Sequence, residues 1–302
     1  MLPADVDLVA YVDVPGVAQH PLWSKLEEDP FLKAAEGPLN QFRAITGLDP
    51  RRDVHMLVMV ARGFGRQELE IAVIARGALD RERIEDLLSG SGFRPERRGK
   101  LEVYLPPAEV GLPAGVPGLP DASVAFLDDF TLAVGPSGIL QGTVAVRNGD
   151  APPLVQSPDL GSMIEEGIGS GQFWGVFRSG YLGDLLRQRI EEGIPFLGVL
   201  KGFSGVQGLR FSVRLSDSID LVARARTGTE AEAQLLADTL NGFLALGKLV
   251  AKDQPDILRF LDGALVGLDV DSVRFSMNLD AANLDRIRSG VFQTIGRTTG
   301  EL

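Results

Sequence analysis

Two stretches of this chain read alike, and together they restrict the fold more than any other feature. Val54 to Arg62 (VHMLVMVAR) resembles Val206 to Arg214 (VQGLRFSVR), and IAVIARGALDRERIEDLL resembles DLVARARTGTEAEAQLLADTL. Each second segment is a strand ending in Ala-Arg, a short turn, an acidic first helical turn and a leucine-bearing face. Short apolar runs bounded by turn residues predict strands, and acids at a helix start complement its dipole.

The surrounding elements repeat in the same order. In the first half, Val6 to Val14 predicts a strand stopped by Pro15-Gly16, and His20-Pro21 opens a helical region. Val54 to Arg62 and Leu69 to Arg76 predict a hairpin across Gly63-Phe64-Gly65. Asp80 to Leu88 predicts a helix, Leu101 to Leu105, Val124 to Leu127 and Phe130 to Val134 three strands, and Ser137 to Arg147 a short helix. In the second half, Phe173 to Arg178 predicts a strand, Leu182 to Glu192 a helix, and Val206 to Arg214 with Ile219 to Arg226 a hairpin. Glu230 to Lys252 predicts a long helix from its three- and four-residue apolar spacing. Pro255 to Leu261 (helix), Val273 to Leu279 (strand) and Ala281 to Ile287 (helix) complete it. A shared order of strand, helix, hairpin, helix, strand predicts internal duplication. Because β-α-β-β-α-β is the ferredoxin-like order, the expected fold is α+β: two tandem ferredoxin-like repeats with mainly antiparallel sheets. Residues 1–150 form the first repeat and 151–302 the second, joined at Gly149 to Pro158 (GDAPPLVQSP). Within the first, Pro106 to Ala122 is a proline-rich loop without periodicity.

Composition narrows the chemistry. The 302 residues contain no cysteine, which removes disulfides, thiolate catalysis and Cys-ligated metals. A hydrophobic share of 44% with 24% charged residues is that of a globular protein. A net charge of −11 opposes nucleic acid and anionic lipid. The densest basic cluster, Arg94, Arg97, Arg98 and Lys100, encloses Glu96 and reads as a solvated loop, so no nucleic-acid partner is expected. No apolar stretch reaches the ~20 residues of a membrane span.

Reactive constellations are missing where sequence would show them. Ser204 follows Gly202 but has Val206 two residues on, so no G-x-S-x-G elbow exists. His20 reads as a turn residue and His55 as a strand residue, both structural or surface in role. Asp262, Asp269 and Asp271 lack the glycine and terminal glutamate of a calcium loop. The acidic groups Glu27-Glu28-Asp29, Glu165-Glu166 and Glu191-Glu192 read as solvated helix faces, and Asp128-Asp129 as a turn. Gly63-Phe64-Gly65 leads into a strand where a dinucleotide fingerprint needs a helix. Trp23 and Trp174 read as core. The expectation is therefore no catalytic, metal-binding or cofactor-binding residue, and no cofactor.

The opening LPADVDLVAYVDV, the later DDFTLAVGPSGILQGTVAVRNGDAPPLVQSPDL and the closing VDSVRFSMNLDAANLDRI resemble pieces of bacterial exported or lipid-anchored proteins with duplicated α+β domains, a family of unknown function. That resemblance implies a fold and a periplasmic or cell-envelope location, with a chain that begins just past its signal or anchor; a cytoplasmic location is the alternative. It carries over no catalytic residue. The expected function is non-catalytic binding or scaffolding, with a protein partner or a second copy of the chain as occupant. The alternatives are a cofactor-free enzyme using carboxylates and a subunit of a larger assembly.

Overall fold

The computed structural model describes residues 2–21, 49–64, 69–99, 101–107, 122–179 and 201–280. The chain divides into two compact units: Met1–Ile168 with Gln172–Phe177, and Gly169–Gly171 with Arg178–Leu302. The features expected within 22–48, 108–121, 182–192 and 281–287 lie outside the described residues.

Unit 1 holds β1 (Leu8–Asp13), β2 (Val54–Arg62), β3 (Glu70–Gly77), β4 (Arg94–Arg98), β5 (Leu101–Leu105), β6 (Ala122–Asp128), β7 (Thr131–Pro136) and β8 (Phe173–Arg178, its last residue assigned to unit 2). Its described helices are α1 (Val14–Ala18), α2 (Pro50–Asp53), α3 (Arg81–Gly90), α4 (Ser137–Asn148) and α5 (Gly161–Gly167). The strand order is β8-β1-β2-β3-β7-β6-β5-β4, antiparallel at each junction.

Successive side chains of a strand point to opposite faces, and unit 1 buries both. Val124 and Phe126 of β6 join Ile84 of α3 and Tyr104 in one cluster, with Leu88, Leu132 and Val134 packed against it. Ala125 and Leu127 of the same strand join Leu140 and Val144 of α4 on the other side, with Ile74 and Ala133. A third cluster collects Val9, Val60, Met163 and Ile164 of α5, Trp174 and Val176. Tyr11 stacks on Trp174 with ring centroids 5.4 Å apart. Each such side chain contributes about 1.5–3 kcal/mol on burial. α4 ends at Gly149, whose φ of 88° is left-handed; Asp150 N–H then reaches the Ala145 carbonyl at 2.8 Å.

Unit 2 holds β9 (Val206–Leu215), β10 (Ser218–Thr227), β11 (Ala264–Leu268) and β12 (Ser272–Asp280), with α6 (Glu230–Val250) and α7 (Pro255–Asp262). Its order is β9-β10-β12-β11, again antiparallel. α6 starts where the Thr229 hydroxyl accepts the Glu232 N–H at 3.2 Å and the Glu232 carboxylate accepts the Gly228 N–H at 3.0 Å. Ala233, Leu236 and Ala237 of α6 pack on Val206 and Val273, flanked by Ala225, Leu240 and Val266. Only one face of this sheet therefore meets α6.

The expected tandem ferredoxin-like repeats are not what forms. A split β-α-β fold places two parallel strands side by side through a helical crossover, whereas every junction between described strands within the units is antiparallel. Two strands hidden from sequence explain the error. RPERR, expected as a loop, is the edge strand β4, and ALVGL is β11. With both restored, α3 and α6 each lead from one hairpin to another. Charge and Pro95 on β4 are what an outer strand needs, because they discourage pairing with other chains.

Candidate functional site

In unit 2 the face turned away from α6 is built mainly of polar side chains at alternate positions, around Val222. The register places Arg214, Asp220 and Asn278 in one cross-strand row, Ser212, Val222 and Ser276 in the next, and Arg210, Arg224 and Arg274 in the third. These rows line a groove of about 500 Å³ whose rim includes Gly263 and Leu265. That volume is within the range of small-molecule sites.

The first row is neutralised internally. Asn278 donates through Nδ2 to Asp220 and, at 2.9 Å, to Ser218 Oγ, while Arg214 donates to the Ser170 carbonyl at 3.2 Å. The third row is cationic throughout. Adjacent strands lie ~5 Å apart, so three arginine stems stand within about 10 Å of one another. Like charges directly opposite on a sheet oppose its formation. Asp269 meets Arg224 at 2.5 Å, and Arg274 is exposed, with no ion-pair partner among the described residues. Chemically the groove's described residues offer guanidinium forks and hydroxyl donors around one carboxylate, Asp220. The groove thus holds out hydrogen-bond donors to an anion.

The charged clusters of unit 1 pair internally. Arg62 bridges Glu70 and, at 2.7 Å, Asp5, which pushes its guanidinium pKa up. Beside it Asp7 accepts the Gly63 N–H at 2.8 Å. Arg81 pairs with Glu85 at 2.7 Å and lies 4.8 Å from the centre of the Phe126 ring. Tyr104 beneath it is 4% exposed; burial first, then the Glu85 and Glu102 charges, pushes its phenol up to about 12. Arg52 and the Asp49 N–H hold the Asp53 carboxyl below its usual value.

The residues weighed from sequence do not converge. His20 closes the α1 region, and His55 is exposed on β2. Trp174 is buried in unit 1, while Trp23 lies outside the described residues. Asp262 pairs with Lys248 at 2.8 Å, Asp269 with Arg224, and the Asp271 carbonyl accepts the Thr227 N–H at 2.8 Å. Among the described residues no three metal-ligating side chains gather, and no helix is long and apolar enough to cross a membrane. The arginine row was missed from sequence, although its signal is there: R-x-S-x-R at 210–214, D-x-V-x-R-x-R at 220–226 and R-x-S-x-N at 274–278.

No protein-family model matches the chain, and no curated protein is significantly similar to it. Among solved structures, one titled "Structure of crystal form I of TP0453" aligns with a TM-score of 0.45 and 12% identity, covering 96% of each chain.

Proposed function

We propose that this is a non-catalytic binding protein and that the unit 2 groove holds its ligand. The supporting observation is the cationic row of Arg210, Arg224 and Arg274 lining a concave sheet face. The row brings three guanidinium groups to one wall of the groove, a donor set suited to an anionic ligand. Among the described residues the groove is lined by one carboxylate and no histidine, which supports retention of a ligand over its conversion.

The proposed setting is the bacterial cell envelope, supported by the resemblance of the LPADVDLVAYVDV opening and two later stretches to exported or lipid-anchored proteins. Fractionation of cells expressing the full coding sequence tests it: recovery with the envelope supports the setting, and recovery with the cytosol removes it.

Binding is tested by a thermal-shift screen of anionic, neutral and cationic small molecules. Ser276→Phe, which fills the groove, is the comparison chain. Stabilisation lost in the variant, with the compound recovered unaltered by mass spectrometry, is expected. Conversion of the compound, or stabilisation that persists in Ser276→Phe, would contradict the reading.

A further inference from the structure

We infer that the groove recognises phosphate groups and that Arg210, Arg224 and Arg274 hold them. This rests on the binding reading above and supplies the ligand's chemistry. Three observations converge on it.

The first is number and spacing. A carboxylate has two oxygens and satisfies one guanidinium fork. Three arginines abreast, rooted within about 10 Å, exceed what one carboxylate can use; a phosphomonoester or polyphosphate has the oxygens and the charge to meet all three.

The second is the neighbouring row. Ser212 and Ser276 flank Val222 two residues along the same face, adding hydroxyl donors on either side of a small apolar floor. Among the described residues no aromatic ring lines the groove, so none of them is shaped to stack a base or a sugar. Recognition then falls on the charged group itself.

The third is contrast with the rest of the molecule. The chain carries a net charge of −11, which repels anions at a distance, yet β9, β10 and β12 turn five arginines (Arg226 and Arg214 with the three of the row) to one face. Asp269, bonded to Arg224, is the carboxylate an entering phosphate would compete with.

Calorimetry of the full chain with sodium tripolyphosphate tests this. Binding at low salt that weakens as salt rises is expected. In the double variant Arg210→Gln/Arg274→Gln affinity should fall by at least about tenfold, because charge-assisted hydrogen bonds are lost. Its thermal midpoint serves as the folding control. Asp269→Asn is the second variant, and should bind severalfold more tightly because the carboxylate that competes with phosphate for Arg224 is neutralised. Vesicles of phosphatidylcholine with and without phosphatidic acid form a parallel arm. Binding of tripolyphosphate alone assigns a soluble phosphate; binding only to phosphatidic acid vesicles assigns a lipid headgroup. Unchanged affinity in both variants, or no binding in either arm, overturns the inference. If neutral or cationic compounds are stabilising in the wild type and not in Ser276→Phe, the phosphate assignment falls and the binding reading stands. If no compound class depends on the groove, both fall.

Discussion

Strands β2, β3, β7 and β6 of unit 1 and strands β9, β10, β12 and β11 of unit 2 follow the same order: a hairpin, a helix after its second strand, and a later hairpin whose final strand lies against the first hairpin. The sheet face toward α3 corresponds to the face toward α6, and both are apolar. The opposite faces differ completely. In unit 1 that face presents Ile74, Ala125, Leu127 and Ala133 to α4; in unit 2 the corresponding face carries Arg210, Ser212, Arg224 and Arg274. One strand order thus supports either a three-layer core or a polar groove. The choice rests on the side chains at alternate positions and not on backbone topology. A face packed under a helix tolerates no unpaired charge, whereas the face turned away from α6 can stay polar.

The strongest way to break this comparison is to give unit 1 the chemistry of unit 2. Ala125 is fully buried between β5 and β7; Ala125→Arg should cost more than about 4 kcal/mol, or prevent folding, because it buries a charge with no partner. Chemical denaturation measures it, and a loss below about 1 kcal/mol would show that the α4 side is not a packed core. Next in size, Leu236→Ala on α6, at a position 1% exposed, should cost about 2–5 kcal/mol through lost burial and a residual cavity. A near-neutral result would mean that α6 does not seal unit 2 as α3 seals unit 1.

A smaller, pH-dependent effect is expected at Tyr104. Its phenol is raised to about 12 in the folded chain, chiefly by burial, and stands near ~10 when unfolded. The folded state therefore holds the proton more tightly, and the associated stability is fully present below ~10 and is lost as pH rises toward 12. Denaturation midpoints across that window should fall for the wild type with a slope that Tyr104→Phe reduces. Smallest of all, Arg274→Leu on the exposed row should change stability by no more than about 0.5 kcal/mol, measured by the same denaturation. A larger loss would make the arginine row a structural element of unit 2.

Much of this contrast was written in the sequence. Strands buried on both faces read as continuous apolar runs, as in ASVAFLD of β6, and strands with one polar face alternate, as in LVARART of β10. Period alone found β2, β3, β9, β10, α3 and α6. It did not find β4 or β11: RPERR has the composition of a loop, and ALVGL follows a helix with only Gly263 between them. Their absence from the reading turned two hairpins into single strands and produced the ferredoxin-like expectation. The arginine row escaped for a different reason. Its members lie on three strands up to 64 residues apart, and only the cross-strand register (Arg210 with Arg224, Arg224 with Arg274) makes them one feature. Register is fixed by packing and turns, neither of which spacing along the chain reveals.

Backbone amide mapping by NMR during titration of the full chain with tripolyphosphate tests the central claim most directly. The account predicts shifts centred on Arg210 to Ser212, Val222 to Arg224 and Arg274 to Ser276, with β3, β6 and β7 unmoved. Shifts centred on the α4 side of unit 1, or spread evenly over both units, would contradict it.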